Sequence, residues 1–362
     1  MGDAIRTGLQ RPAARSGVGL RRLSAPLGLG RFLGMVVAVF VALCVASLAL
    51  PHDPHIRYQS FKGTIFERLG WIYDRLAHDD TPIDVLFVGS SRLARGANAA
   101  ATTEALAARG RDLSIANISL PAAGLDIRLT KIRDALAEHP EIRLIVFGVV
   151  EQLPRDGHQA FGQLGTVGEI VTAPPVINRN LPSDLAGLPY RQMEFWLASR
   201  LPEAFGYRAG FDPDLYAGPM PDHRSFNDPD FTPRPAALLR SPAHAEALAA
   251  ESRRRARSIR PPLLPDALAW AEFGVSRSYV RRIDALAEAA GAELVFLHLP
   301  FYRGPAEPFD AEWLRGQGPL WAASFLRNAP ENYADAGHAS QIGITALVPW
   351  LAERIDTALE MP

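Results

Sequence analysis

The sequence predicts an α/β protein, a three-layer α/β/α sandwich built on a parallel sheet and preceded by one N-terminal transmembrane helix. Continuous apolar runs alternate with helical segments from residue 83 onward, a pattern typical of parallel strands covered on both faces. A charge-free run at residues 32–50 has the length of a helix that spans a hydrocarbon core, which takes roughly 20 residues.

Composition sets the broad class and argues against several kinds of ligand. The chain has 362 residues, of which 48% are hydrophobic and 21% charged, and its net charge is -1, as expected of a globular protein. Without a basic excess, nucleic acid is not expected as a partner. The single cysteine, Cys44, allows no intrachain disulfide and no multi-cysteine metal site. No metal-ligand or nucleotide-loop spacing occurs, so neither a metal nor a cofactor is expected.

The N-terminus is predicted to anchor the chain in a membrane. Residues 1–31 form a basic tail with a single acid, Asp3. By the positive-inside rule this tail stays in the cytoplasm, residues 32–50 form the anchor, and the bulk of the chain is exported. The small residues Ser47 and Ala49 also suit a signal peptidase, so cleavage is the alternative. The length of the basic leader favours an uncleaved anchor.

Periodic patterns place the helices and strands behind the anchor. Residues 51–80 are predicted to form a juxtamembrane amphipathic helix, because Ile65, Leu69, Ile72 and Leu76 recur at helical spacing. The main domain is expected to cover residues 81–360. Its predicted strands are 85–88, 113–118, 144–150 and 293–299, and its predicted helices are 98–108, 126–138, 276–290 and 340–359.

A proline-rich insertion interrupts the main domain at about residues 152–265. Because proline lacks a backbone donor and fixes φ, this segment is predicted to be irregular, with short helices and no further sheet. Long excursions of this kind are usually functional, and we expect it to cap the site and shape an acceptor groove. Five arginines near its end form either a solvated helix face or a site for an anionic polymer or headgroup. They are Arg253, Arg254, Arg255, Arg257 and Arg260.

Two motifs far apart in the chain carry the candidate chemistry. Gly89-Ser90-Ser91 follows the first strand, where glycine permits a sharp turn into a helix whose N-terminus favours a developing anion. The alternative is that the two serines only cap that helix. Asp335 and His338 precede the last helix, at a spacing that can supply a general base and the group that orients it. If the two motifs meet, the protein is a hydrolase or an acyl transferase.

On these motifs the chain resembles the SGNH, or GDSL-like, hydrolase superfamily. The first block of that superfamily, a Gly-Asp-Ser turn after the first strand, is matched by Gly89-Ser90-Ser91. Its last block, Asp-x-x-His before the final helix, is matched by Asp335 and His338. The resemblance implies a flavodoxin-like (SGNH) sheet. It also implies Ser91 as nucleophile and, through its amide, as an oxyanion donor, with His338 as general base and Asp335 as orienting partner.

The two middle blocks of the superfamily are matched differently. The second block normally gives a glycine amide to the oxyanion hole, and the resemblance transfers this role to the amides of Ala122, Ala123 or Gly124. The third block normally ends a strand with Gly-x-Asn-Asp, but here the strand gives Gly148-Val149-Val150-Glu151. The asparagine donor is therefore missing, and Gln152 is the available replacement. Loss of one such donor costs about 10²–10³ in rate in a serine protease, which predicts a weak or unusual enzyme.

Further side chains are predicted to line the site. Arg92 and Glu151 both follow strands at the expected edge, and they either form a structural salt bridge or leave Arg92 to bind an anionic acceptor. His298 ends the fourth strand and Tyr302 follows it, so both are candidate lining residues. A satisfied core histidine is the alternative for His298.

Within the superfamily the chain is most similar to membrane-anchored, extracytoplasmic members, such as the D-alanine transfer protein of teichoic-acid D-alanylation and proteins that O-acetylate alginate. The resemblance implies a serine esterase or O-acyltransferase at the bacterial inner membrane, acting in the periplasm on a cell-envelope or secreted polysaccharide. The implied partners are an acyl donor, a polysaccharide acceptor and a membrane-bound acyltransferase. The alternatives are a weak or inactive module that binds glycan, and a scaffold for an envelope assembly.

Overall fold

A computed structural model describes residues 28–221, 233–260 and 262–360 of the chain. Helix α1 covers Leu29–Ser47 and is long and apolar enough to cross a membrane. It begins three residues before the predicted span. The chain divides into two compact units after Ala46. Most of the predicted basic tail, residues 1–27, lies outside the described residues.

A parallel sheet organises the second unit. Its strands are β1 Val85–Val88, β2 Ile115–Asn117, β3 Leu144–Val149, β4 Glu293–His298 and β5 Leu320–Ala322. Their spatial order is β2-β1-β3-β4-β5, and every neighbouring pair is parallel. A separate antiparallel hairpin pairs β6, Tyr333–Asp335, with β7, His338–Ala339. The predicted α/β class, with a parallel sheet and one N-terminal apolar helix, is confirmed.

Helices surround this sheet. Up to β3 they are α2 Pro54–Gln59, α3 Arg68–Ala77, α4 Ser91–Gly96, α5 Ala99–Ala107 and α6 Asp126–Glu138. Those of the insertion are α7 Phe161–Leu164, α8 Val167–Val171, α9 Leu181–Ala198, α10 Ala236–Leu239 and α11 Pro242–Ser258. The remaining helices are α12 Ala269–Glu272, α13 Gly274–Ala290, α14 Ala311–Arg315 and α15 Gln341–Glu360. Short 3₁₀ helices occupy Pro202–Phe205, Asp266–Leu268, Ser324–Leu326 and Pro330–Asn332.

Side-chain alternation along the strands gives the sheet two buried faces. In β1, Leu86 and Val88 join a cluster that includes residues of α3, α6 and α13, whereas Val85 and Phe87 join a cluster that includes residues of α5 and α15. Successive strand residues point to opposite faces, so a strand that is apolar throughout must be covered on both. This is why the continuous apolar runs identify parallel strands.

Residues 51–80 differ from the single juxtamembrane helix that their pattern predicts. They form α2 and α3, and the link between them contains Gly63, whose φ of 74° suits glycine. Leu69 and Ile72 are fully buried in the same cluster as part of β1, while Ile65 is 68% exposed. The segment therefore belongs to the core of the second unit.

The insertion is more helical than its prolines suggest. Helices α9 and α11 are 18 and 17 residues long, and the described part of residues 152–265 contains no strand. Pro182 and Pro242 lie in the first turns of these helices, where the missing N–H would have had no intrahelical partner. Residues 222–232 and 261 lie outside the described part.

The strand order places the candidate site. The chain passes from β1 to β2 on one side and then crosses to β3 on the other, and ligands bind at such switch points in doubly wound sheets. Ser91 begins α4 after β1, and Glu151 follows β3 by two residues. A Cβ added at Gly148 would lie 3.2 Å from the Gly89 Cα. The absence of a side chain at Gly148 therefore lets the turn Gly89-Ser90-Ser91, the nucleophile turn, pack closely against β3.

An Ile72→Ala substitution tests whether α3 belongs to the core. Because Ile72 is fully buried, we expect the free energy of unfolding of the full chain in detergent to fall by about 2–5 kcal/mol. Urea unfolding followed by tryptophan fluorescence measures it. The matched control is Ile65→Ala, which should change stability by less than about 0.5 kcal/mol. Equal, small effects of both substitutions would contradict the packing of α3.

Candidate active site

Ser91, His338 and Asp335 meet at the carboxyl edge of the sheet. Ser91 Oγ lies 2.9 Å from His338 Nε2, and Nδ1 of the same ring lies 2.8 Å from Asp335 Oδ2. Hydroxyl, imidazole and carboxylate thus follow one another in the order of a Ser-His-Asp triad. Such an arrangement can transfer the serine proton to the ring while the carboxylate holds the ring in place.

The local structure around Ser91 frees its hydroxyl for this contact. Ser91 is the first residue of α4, and the preceding Ser90 is the N-cap, with an extended backbone at φ -85° and ψ -175°. The Ser90 side chain makes no capping hydrogen bond, and the Ser91 hydroxyl contacts His338. Helix capping therefore does not account for the Ser91 hydroxyl. The first amides of a helix have no intrahelical acceptor, which leaves the Ser91 N–H available.

The Asp335 carboxylate organises the turn that carries the histidine. Its Oδ1 accepts hydrogen bonds from the amides of Gly337 at 2.7 Å and His338 at 3.0 Å, and Arg95 Nη1 lies 3.8 Å from Oδ2. Burial raises the pKa of this carboxyl, but the hydrogen bond and charge of His338, the Gly337 amide and Arg95 together lower it to about 2. The carboxylate is therefore ionised at neutral pH and can stabilise an imidazolium.

The second-block loop, residues 118–124, lies beside the nucleophile turn. The Leu120 amide donates to the Gly89 carbonyl at 3.0 Å, which extends the pairing of β1 with β2 beyond the last residue of β2. At the end of β2, the Asn117 side chain donates to the Ala97 carbonyl at 2.9 Å, just after α4. The loop and the nucleophile helix are thus tied to each other.

Buried donors turn two carbonyls of this loop toward the interior. His158 Nε2 donates to the Pro121 carbonyl at 2.9 Å, and Arg128 Nη2 donates to the Ala123 carbonyl at 3.4 Å. In a trans peptide the C=O group and the N–H group of the next residue point in opposite directions. The two amides that follow these carbonyls therefore point away from the donors.

Those amides belong to Ala122 and Gly124, two of the predicted oxyanion donors. Within the described residues, the amides of Ala122, Ala123 and Gly124 donate to no backbone carbonyl. Ala122 has a left-handed φ of 66°, which costs a residue with a side chain about 1–2 kcal/mol, and a Cβ added at Gly124 would collide with the His158 backbone. The loop is therefore held in one unusual conformation with its donors unpaired.

The third-block position forms an ion pair. Glu151 Oε2 accepts from Arg92 Nη2 at 2.7 Å, Oε1 accepts from Nη1, and Nη1 also donates to the Leu299 carbonyl at 3.0 Å. Both side chains are buried. Burial raises the pKa of Glu151, but the charge and hydrogen bonds of Arg92 outweigh it and lower that pKa. The geometry favours the structural salt bridge over binding of an acceptor by Arg92.

Gln152 follows this pair and has an unused donor. The residue is 9% exposed, and its Nε2 makes no hydrogen bond within the described part of the chain. An unpaired buried donor costs about 1–3 kcal/mol. Gln152 Nε2 is therefore an unused hydrogen-bond donor three residues after β3.

His298 and Tyr302 belong to the core, which corrects the expectation that they line the site. His298 is fully buried, its Nε2 lies 3.4 Å from the Pro305 carbonyl, and burial lowers its pKa. Tyr302 is also buried, and its ring centre lies 5.7 Å from that of Tyr333. The neighbouring Phe301 instead lines an open cavity of about 230 Å³.

No motif pointed to Arg128 and Lys131, which both support the site. They lie on the buried side of α6, where Arg128 Nη1 donates to the Gly148 carbonyl at 2.5 Å and Lys131 Nζ donates to the Ile118 carbonyl at 2.5 Å. Burial lowers the pKa of Arg128 to about 9. The sequence signal that could have identified them is a pair of basic residues on the apolar face of a helix, where charged residues are rare.

Comparison with known proteins assigns no relative. A scan against models of protein families finds none that matches the chain, and a search of curated proteins finds no similar sequence. Among the described residues, no group of histidine, cysteine and acidic side chains is arranged to hold a metal ion. The function must therefore be inferred from the geometry around Ser91.

Substitutions at Arg92 and Glu151 test the ion pair. Arg92→Met leaves the Glu151 carboxylate buried and unpaired, so we expect the free energy of unfolding to fall by about 3–5 kcal/mol. The double variant Arg92→Met/Glu151→Leu removes both charges and should recover most of the loss. Urea unfolding of the full chain measures all three proteins. A single variant as stable as wild type would contradict a structural role.

The lowered pKa of Asp335 predicts an acid-dependent contribution to stability. Its value falls from the ordinary 3.8 to about 2 on folding, so the stabilisation is complete above the ordinary value and is lost as the pH falls through the folded value. Urea midpoints of wild type and Asp335→Asn, compared from neutral pH down to about pH 2, should differ by a constant amount at first and then converge. A difference between the two urea midpoints that does not change with pH would show that the lowered pKa of Asp335 does not contribute to stability.

Proposed function

We propose that the protein is a membrane-anchored serine esterase or O-acyltransferase that acts outside the cytoplasm on a cell-envelope or secreted polysaccharide. The observation that carries this proposal is the continuous contact from Ser91 Oγ through the His338 ring to the Asp335 carboxylate. Three residue types in this order are the arrangement that activates a serine for attack on an acyl group.

In the proposed reaction, His338 Nε2 takes the proton of Ser91 as the serine oxygen attacks the ester carbonyl. The Asp335 carboxylate stabilises the imidazolium that forms. The tetrahedral intermediate then expels the donor's alcohol, which leaves with the proton from His338, and an acyl-serine remains. Attack by water completes an esterase reaction, whereas attack by a sugar hydroxyl completes a transfer. In both cases His338 takes the proton of the attacking group and returns it to Ser91.

Backbone amides are the proposed oxyanion donors. The amides of Ser91, Ala122 and Gly124 are unpaired within the described backbone hydrogen bonds, and preorganised donors of this kind lower the barrier to acyl transfer. Gln152 Nε2 is the proposed substitute for the asparagine of the third block. Together these groups are proposed to replace the asparagine donor that the superfamily pattern has and this chain lacks.

The strand order supports membership of the SGNH superfamily. The order β2-β1-β3-β4-β5 is that of flavodoxin-like doubly wound sheets. The serine turn follows β1 and the Asp-x-x-His turn precedes α15, as in the first and last blocks of that superfamily. Two independent features, the topology and the motif positions, thus favour the same family.

The N-terminal helix supports an extracytoplasmic site. Helix α1 can cross a membrane by length and composition, and the arginines before it favour a cytoplasmic N-terminus. The main unit then lies in the periplasm at the bacterial inner membrane. The proposed partners are an acyl donor, a polysaccharide acceptor and a membrane-bound acyltransferase that supplies the acyl group.

Labelling with a fluorophosphonate probe tests the proposed nucleophile. Wild type should be labelled, Ser91→Ala should not, and His338→Ala should react at least about a thousandfold more slowly, because its serine has no base. Ser90→Ala is the matched control. Its hydroxyl makes no capping bond, so labelling should persist.

Two outcomes of this experiment would contradict the proposal. Absence of labelling that depends on Ser91 would favour the non-catalytic alternatives, a glycan-binding module or a scaffold for an envelope assembly. Labelling that survives Ser91→Ala but is lost in Ser90→Ala would assign the nucleophile to Ser90.

A further inference from the structure

Arg255, one of the five clustered arginines of the insertion, lies beside the turn that carries Asp335 and His338. A Cβ added at Gly337, between Asp335 and His338, would collide with the Arg255 guanidinium. Most of the other arginines on α11 are solvent-exposed. Arg255 therefore differs from the rest of the cluster, whose side chains are exposed to solvent.

The position of Arg255 is set by the docking of α11. His244 Nε2 on this helix lies 2.9 Å from the Tyr333 carbonyl, and Glu251 Oε2 accepts from the Ala336 amide at 3.2 Å. Arg255 lies one turn after Glu251, on the same face of the helix. Two polar contacts with the segment that leads to His338 thus hold its guanidinium beside the triad.

The charge of Arg255 has no direct partner in the described part of the chain. Its guanidinium forms no ion pair or hydrogen bond with any described residue, although it is half-buried. Nearby Arg92 is already paired with Glu151. Burial, and next the charge of Arg92, lower the pKa of Arg255, and the neighbouring carboxylates oppose this without reversing it. An unmatched, partly desolvated cation is a favourable site for an anion.

The Phe301 ring lies beside Arg255 and also lines an open cavity. The Arg255 guanidinium carbon lies 5.8 Å from the centre of that ring, and Phe301, Ile259 and Phe309 line the cavity of about 230 Å³. This volume is below the roughly 300–1,000 Å³ of typical ligand pockets, so it suits a single sugar residue. Arg303 contributes a second cation to the lining.

We infer that Arg255 binds an anionic group, a carboxylate or a phosphate, on the sugar residue next to the ester that Ser91 attacks. The inference rests on the proposed function and narrows its substrate to charged glycans. A guanidinium donates two parallel hydrogen bonds to either group. Arg92 is less available for this role, because it is buried and its Nη1 and Nη2 groups already donate to Glu151.

Binding of three matched glycosides tests the inference. They are methyl glucoside, methyl glucuronide and the phosphate ester of methyl glucoside, which end in an alcohol, a carboxylate and a phosphate. Calorimetry with full-length Ser91→Ala in detergent measures their affinities. We expect one or both charged glycosides to bind at least about tenfold more tightly than the neutral one. The stronger of the two identifies the anion.

Substitution of Arg255 connects this preference to one residue. Adding Arg255→Gln should abolish the preference and leave the affinity for methyl glucoside unchanged, which a general loss of structure would not do. Adding Arg254→Gln removes the same charge from an exposed position of α11 and should preserve the preference. If Arg255→Gln proves unfolded by urea denaturation, Arg255→Lys keeps the charge and should retain a weaker preference for the charged glycosides.

Several outcomes would overturn the inference. Equal affinities for the three glycosides, or no binding of either charged one, would contradict it. So would a preference for the charged glycosides that survives Arg255→Gln. Loss of that preference in both single variants, the folded Arg255→Lys and Arg254→Gln, would also contradict it. Because the measurements use a chain without the nucleophile, they are independent of fluorophosphonate labelling. Failure of the proposed catalysis and failure of anion binding are therefore distinguished.

Discussion

The buried ion pair of Arg92 with Glu151 is the interaction on which the candidate site depends. Arg92 follows the nucleophile after β1, Glu151 follows β3, and Arg92 also donates to the carbonyl of Leu299 after β4. One side chain thus joins the ends of three neighbouring strands and fixes the start of the nucleophile helix. A buried carboxylate thus holds the turn that carries Ser91 against the neighbouring strands.

Buried cations complete this arrangement at the carboxyl edge of the sheet. Parallel strands present unpaired carbonyls where they end, and Arg128 and Lys131 donate to those of Gly148 and Ile118. Burial lowers the pKa of both side chains, to about 9 for Arg128 and well below the ordinary value for Lys131. The same donors turn loop carbonyls inward and leave amides such as that of Gly124 unpaired. The candidate site therefore has backbone donors that are held in place without an acceptor.

Much of the architecture could be predicted from the sequence, because strong local patterns reflect burial. Strand β1 and most of β3 and β4 are apolar, and helix α6 matches its predicted bounds. Strand β5 was not predicted, because its three residues by themselves have no detectable period. Strand β2 is equally short, but it lies within the predicted run 113–118. Helix α3 was predicted as part of a membrane-proximal helix. Only the buried cluster that α3 shares with residues of β1 shows that its apolar face belongs to the core. An amphipathic pattern indicates that one face of a helix is buried, but not which surface covers it.

At the site, the sequence by itself determined the two motifs, Ser91 after a strand and Asp335 with His338 before the last helix, since the chemistry requires these residue types at short spacing. Their contact, and the absence of a capping hydrogen bond from the Ser90 side chain, were decided by the tertiary structure. So were the burial of Tyr302 and the position of Arg255, alone among the five clustered arginines, beside Gly337. The physical reason is that motifs record local chemistry, whereas pairing of charges and orientation of donors depend on segments that only folding brings together.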